Sequence, residues 1–111
     1  MENQKYELVM CIVNAGYSQN VMDAARSAGA RGGSIVRGRG SANPEAEEFF
    51  NIQIQPDKEV VLILVESKIK DDIIKAVYKN VGLSTEGAGI VFSLPVSRTT
   101  LTFPKEEKDK K

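Results

Sequence analysis

Residues 6–13 (YELVMCIV) form a compact apolar run, long enough for a strand and too short for most helices. After a turn at Asn14, Ala15 and Gly16, the residues Val21, Met22, Ala24, Ala25 and Ala28 recur at helical spacing. Ser18 stands where an N-cap belongs and Gly29 where a C-cap glycine belongs. A short strand, residues 34–37, emerges from the Gly32-Gly33 pair. Residues 38–48 (GRGSANPEAEE) are glycine-rich, then hold Asn43-Pro44, then turn acidic; without hydrophobic periodicity they predict an exposed loop. Phe50, Ile52 and Ile54 alternate with Asn51, Gln53 and Gln55, the mark of a half-buried strand, and Pro56, Asp57 and Lys58 break it. Residues 59–65 (EVVLILV) run apolar without interruption, the pattern of a central strand. Ile69, Ile73, Ile74, Val77 and Val81 then draw a second amphipathic helix, closed by Gly82. Residues 89–94 (GIVFSL) make the last core strand, stopped by Pro95.

The order is β-α-β, loop, β-α-β, in two halves that echo one another. Right-handed crossovers place both helices on one face of a four-stranded antiparallel sheet. The predicted class is therefore α+β, a ferredoxin-like βαββαβ sandwich occupying residues 1–103, with residues 104–111 a charge-dense, disordered tail. The second sheet face is left bare, yet EVVLILV and GIVFSL carry apolar residues at both alternating positions. A domain of this length has no third layer to offer, so sheet-against-sheet packing in an oligomer is the economical cover.

Composition narrows the function. The chain has 111 residues, with 15 Lys plus Arg against 15 Asp plus Glu, so no net field points to nucleic acid. No histidine is present, which removes the commonest general base and the commonest zinc ligand. The acidic clusters around Glu45, Asp71 and Glu106 read as solvated faces, and neither a catalytic nor a metal residue is assigned. The single Cys11 lies in an apolar run and reads as a buried, inert thiol. The polar start of the chain, followed by eight mixed residues, is neither a signal peptide nor a membrane span, and a cytoplasmic protein without membrane insertion is expected.

Four of the five arginines (Arg26, Arg31, Arg37 and Arg39) fall in one short stretch, and three of them are interleaved with glycine as Arg31-Gly32-Gly33 and Arg37-Gly38-Arg39-Gly40. Glycine lets backbone amides converge on a ligand, and arginine offers paired donors for phosphate or carboxylate. A second glycine turn, Gly87-Ala88-Gly89, precedes the last strand. Two such loops on neighbouring crossovers are candidate walls of an anion cleft. The strand-glycine-helix order of a dinucleotide fingerprint is absent.

The element order, the 28–40 stretch, the 58–65 run and above all residues 87–96 (GAGIVFSLPV) together resemble the P-II nitrogen-regulatory protein family, over residues 6–98. The resemblance implies a homotrimer whose sheets line a central core and whose intersubunit clefts bind an ATP-, ADP- or AMP-type nucleotide as effector, with no prosthetic group. It also implies a mobile loop that binds or releases a regulated transporter or enzyme of nitrogen metabolism. Carried over by position, Ile12 and Leu64 flank the base, and Gly32, Gly33 and Ser34 approach it from the neighbouring wall. Gly38 and Arg39 guard the loop entrance, and Gly87, Ala88 and Gly89 present amides to phosphate.

Departures from the family's pattern are specific. The loop is shortened to residues 38–49 and holds no tyrosine, since Tyr6, Tyr17 and Tyr78 lie elsewhere. The basic residue that follows Gly-x-Gly is replaced by Ile90, and the paired arginines beyond the last strand by Leu101 and Phe103, leaving Arg98 and Lys105. Each lost charge-assisted contact weakens polyphosphate binding by ~1.5–3 kcal/mol. These losses imply a less phosphorylated or differently shaped nucleotide, with Arg37 and Arg39 taking over the anion. The alternatives on the same frame are a small acyl-phosphate hydrolase and a trimeric cation-tolerance protein. The first needs a cationic cradle after the first strand, where residues 14–17 (NAGY) supply none; the second sits poorly with one Cys and no His.

Overall fold

The computed structural model describes residues 5–41, 48, 49 and 57–102. The expected strand at residues 50–54, most of the acidic loop and the 104–111 tail lie outside the described residues. Strand β1 is Tyr6–Asn14, helix α1 Ser18–Ser27, β2 Ser34–Arg39 and β3 Asp57–Glu66. A single 3-10 turn, Ser67–Ile69, leads into helix α2, Lys70–Val81, and β4 is Ile90–Val96. The sheet order is β2-β3-β1-β4 and every pairing is antiparallel, the ferredoxin-like arrangement.

The two faces of the sheet differ. Val9, Cys11 and Val13 of β1 and Val61, Ile63 and Val65 of β3 point one way and are buried, packed with Val21, Met22, Ala25, Ile73, Val77 and Val81 of the helices into one core. The intervening residues point the other way, and no described element covers them. Pairing aligns them into rows: Leu8 with Leu64 and Leu94; Met10 with Leu62 and Phe92; Ile12 with Val60 and Ile90. On the edge strand Ile90 is 53 % exposed and Phe92 37 %. The apolar alternation at both parities is thereby realised as one buried face and one bare face.

Three boundaries differ from the sequence reading, for physical reasons. Asp57 and Lys58 do not break a strand; they open β3, pairing with Arg39 and Gly38, so those two residues belong to β2 and not to the loop. Pro95 does not stop β4, which continues to Val96, because β4 is an edge strand where a missing amide donor is tolerated. Ser18 is the first residue of α1 rather than its cap, and its side chain caps nothing. The Glu59 carboxylate on β3 does that work, accepting the amides of Gly16 and Ser18, each at 3.1 Å.

Candidate functional site

At the end of α1 the chain turns through a paired bridge: the Ala30 amide donates to Ala25 and the Gly29 amide to Arg26, each at 3.0 Å, with Gly29 at φ +112°. This is the glycine-terminated helix end in which a side chain would be strained. It delivers residues 30–33 alongside β3. Gly33 lies so close to that strand that a Cβ would stand 2.8 Å from the Leu62 carbonyl oxygen and 3.0 Å from Ile63. Gly32 has neither constraint: a Cβ there would meet nothing within 4 Å, and its backbone is not left-handed. The chain itself therefore gives no reason for glycine at 32.

Residues 29–34 form the lip of a cavity of about 870 Å³. Its apolar wall is Leu8, Leu62 and Leu64 of the bare sheet face, with Leu101 contributing from the short 3-10 turn after β4. Its charged groups are Arg31 and Glu66. Of the sequence-predicted site residues, Gly32, Gly33, Ser34 and Leu64 meet here. Arg98 follows β4, whose Val96 pairs with Tyr6, and so belongs to the same end of the sheet.

The other predicted residues lie elsewhere. Ile12 pairs with Val60 while Leu64 pairs with Leu8, a separation of four positions, roughly 13 Å along the strands. Ile12 and Leu64 thus share the bare face but cannot flank one base within one chain. Gly38 pairs with Lys58 near the Ile12 end, and alternation turns Arg37 and Arg39 toward the helix side, with Glu59 and Asp57 as their strand partners. Arg39 stands 3.7 Å from Asp57, and Arg37 is among the groups that hold the Glu59 carboxyl below its ordinary value. The larger cause there is the Ser18 hydroxyl, followed by the two amides that Glu59 accepts.

Residues 87–89 lie at that same end but beside the opposite edge strand, three strand spacings or ~14 Å from β2. Gly89 donates to the Val81 carbonyl at 2.7 Å and Ala88 to Thr85 at 3.0 Å, so two of the three amides expected to face a phosphate are spent inside the turn. A Cβ on Gly89 would collide with the Val81 carbonyl, and Ala88 adopts φ +49°, a left-handed backbone rare outside glycine. The turn is held to β1 by the Asn14 amide donating to the Gly87 carbonyl at 2.9 Å and by the Asn14 side-chain amide on the Glu86 carbonyl at 3.0 Å. The Tyr17 hydroxyl donates to the Glu86 carboxylate at 2.9 Å, which, with minor burial and charge contributions, raises the phenol above its ordinary pKa. Lys58 reaches Asn14 Oδ1 at 2.7 Å. Asn14, Tyr17, Lys58 and Glu86 are not legible as a cluster in the sequence, because |i−j| separations of 44 to 72 join them.

The fold defines the class: a ferredoxin-like domain whose predicted site residues fall into two groups at opposite ends of the sheet. The chain belongs to the P-II family, whose family model, nitrogen regulatory protein P-II, matches residues 6–106. Among solved structures, Arabidopsis thaliana PII bound to citrate is similar at 24 % identity with TM-score 0.64, covering 86 % of this chain and 78 % of that one. A functionally unknown protein from Pediococcus pentosaceus is similar at 17 % identity with TM-score 0.61, covering 87 % of this chain and 97 % of that one. At these identities both likenesses speak to the fold alone. No curated protein matches. No helix among the described residues is long and apolar enough to cross a membrane, and no group of three metal-ligating side chains occurs among them.

Proposed function

We propose that this chain is a cytoplasmic effector sensor that works as a homotrimer and regulates a transporter or enzyme of nitrogen metabolism. The bare sheet faces pack together, and the 29–34 half-site of one subunit meets the Ile12 end of its neighbour. An adenine nucleotide binds in the composite cleft, its base between Leu64 of one subunit and Ile12 of the next, with Gly32, Gly33 and Ser34 against its edge. Gly38 and Arg39 close β2 where the loop begins, with Arg39 turned toward Asp57 and away from the ligand, so occupancy of the cleft couples to the order of the loop through the strand end. No side chain is assigned to catalysis and no prosthetic group is required.

The observation that carries this reading is the separation of the predicted site residues into two groups along a sheet whose apolar face no described strand or helix covers. One arrangement, association through that face, accounts for both. The test is calorimetric titration with ATP, ADP and AMP, with light scattering in the same buffer. An oligomer of three chain masses that binds one of them, weakened in Gly32→Leu, supports the reading. A folded chain that binds none of the three removes the nucleotide from it.

A further inference from the structure

Beside the 870 Å³ cavity lies a second groove, about 490 Å³, lined by Lys5, Tyr6, Glu66, Ser67 and Lys68. Tyr6 and Glu66 line both, so the two are neighbours across one shared pair of residues. Their chemistry is different. The first is walled by leucines of the bare sheet face; the second is lined by two lysines and one glutamate, with the Lys68 ammonium at 3.4 Å from the Glu66 carboxylate. The groove's backbone is fixed where the Ser67 amide donates to the Lys5 carbonyl at 2.8 Å, joining the start of β1 to the end of β3. Ser67 also carries a buried hydroxyl with no hydrogen-bond partner among the described residues. An orphan hydroxyl costs free energy that an incoming acceptor recovers after a side-chain rotation.

The groups first expected to hold an anion are spent within a turn or lie on the helix side of the sheet, away from the cavity. Ala88 and Gly89 spend their amides within the turn, Arg39 faces Asp57 and Arg37 faces Glu59. Between Arg39 and Lys58 the chain contains no Lys or Arg and three glutamates, Glu45, Glu47 and Glu48.

We infer that the Lys5–Ser67–Lys68 groove is the anion subsite of the effector, holding a single phosphoryl group while the 29–34 cavity holds the base. The inference rests on the nucleotide reading above and adds where the phosphate goes and how much charge is welcome. Two lysines against Glu66 leave one surplus positive charge, suited to a monophosphate and not to a triphosphate. The lysines act as point charges on flexible stems, so selectivity comes from charge and reach rather than from a rigid fork.

The test compares adenosine with AMP by calorimetry on the full chain, in wild type, in the Lys5→Ala/Lys68→Ala double variant and in Arg39→Ala. The expected result is that AMP binds the wild type at least tenfold tighter than adenosine, the size of a charge-assisted contact. The double variant removes that advantage while keeping adenosine affinity, which also certifies its fold, and Arg39→Ala keeps both. Retention of the AMP advantage in the double variant, or its loss in Arg39→Ala alone, overturns the assignment. Equal affinity for adenosine and AMP in the wild type overturns the subsite but leaves the nucleotide reading standing. Binding of neither adenosine nor AMP overturns the monophosphate subsite, and the nucleotide reading then rests on the ATP and ADP titrations above.

Discussion

Glu59 accepts the backbone amide of Ser18 at 3.1 Å across a sequence separation of 41, so a strand residue caps the first helix. The same oxygen takes the Gly16 amide, which fixes the β1–α1 turn that leads into the helix. Removing the acceptor in Glu59→Ala leaves those donors to water and should lower stability by about 1 kcal/mol, the usual worth of a helix cap. The carboxyl is held below its ordinary value by the Ser18 hydroxyl first, then by the amides and Arg37. A depressed carboxyl contributes stability that is present above its unfolded value, near pH 4.5, and is lost as pH falls through the folded one. Urea unfolding of wild type and Glu59→Gln from pH 7 to pH 3 checks this: the difference between them should shrink as the acid limb is entered.

Gly32 and Gly33 are adjacent but answer to different constraints. Gly33→Ala pushes a methyl into the Leu62 carbonyl and should cost ~1–3 kcal/mol in unfolding measurements. Gly32→Ala enters open space and should change stability by less than ~0.5 kcal/mol. Any loss of ligand affinity in Gly32→Ala is then a direct effect on the cleft.

Ala88 is held at φ +49° between two glycines. Left-handed backbone costs a Cβ-bearing residue roughly 1–2 kcal/mol, whereas glycine adopts it freely but loses more entropy on folding. Ala88→Gly should therefore raise stability by up to about 1 kcal/mol, read as a higher denaturant midpoint with unchanged slope. A lowered midpoint would show that the alanine methyl makes compensating contacts.

Burial pushes the Cys11 thiol up to about 11 from 9.0. The folded state therefore favours the protonated thiol, a contribution fully present below pH 9 and lost as pH rises toward 11. At about pH 8, where even a free thiol is mostly protonated, this thiol should react with an aromatic disulfide reagent only as fast as the chain opens, and at full rate in denaturant. Rapid labelling of the folded protein would contradict its place in the core between Val61 and Val91.

The element order was legible because each strand and helix carries its own period: Val9, Cys11 and Val13 are buried where alternation puts them, as are Ile73, Val77 and Val81 at helical spacing. The bare face was legible for the same reason, since Leu62 and Leu64 are as apolar as the residues between them. What stayed hidden depended on partners distant in sequence. Ser18 has the chemistry of a cap, but Glu59 arrives first by strand pairing. Gly-Ala-Gly looks like an anion cradle until its amides find Val81 and Thr85. Lys5 and Lys68 carry no motif; only the pairing of Tyr6 with Glu66 brings their neighbourhoods together.

In the trimer proposed above, the binding cleft exists only between subunits joined through the bare sheet face. Phe92→Glu places a charge on that face, in the row with Met10 and Leu62, where it is compatible with the folded monomer because the edge strand is open there. The deciding measurement is adenine-nucleotide titration of this variant beside wild type, with circular dichroism to verify folding and light scattering to give mass. The expected result is an oligomeric wild type that binds and a folded, monomeric variant that does not. A folded Phe92→Glu monomer with undiminished affinity would contradict it, placing the whole site within one chain.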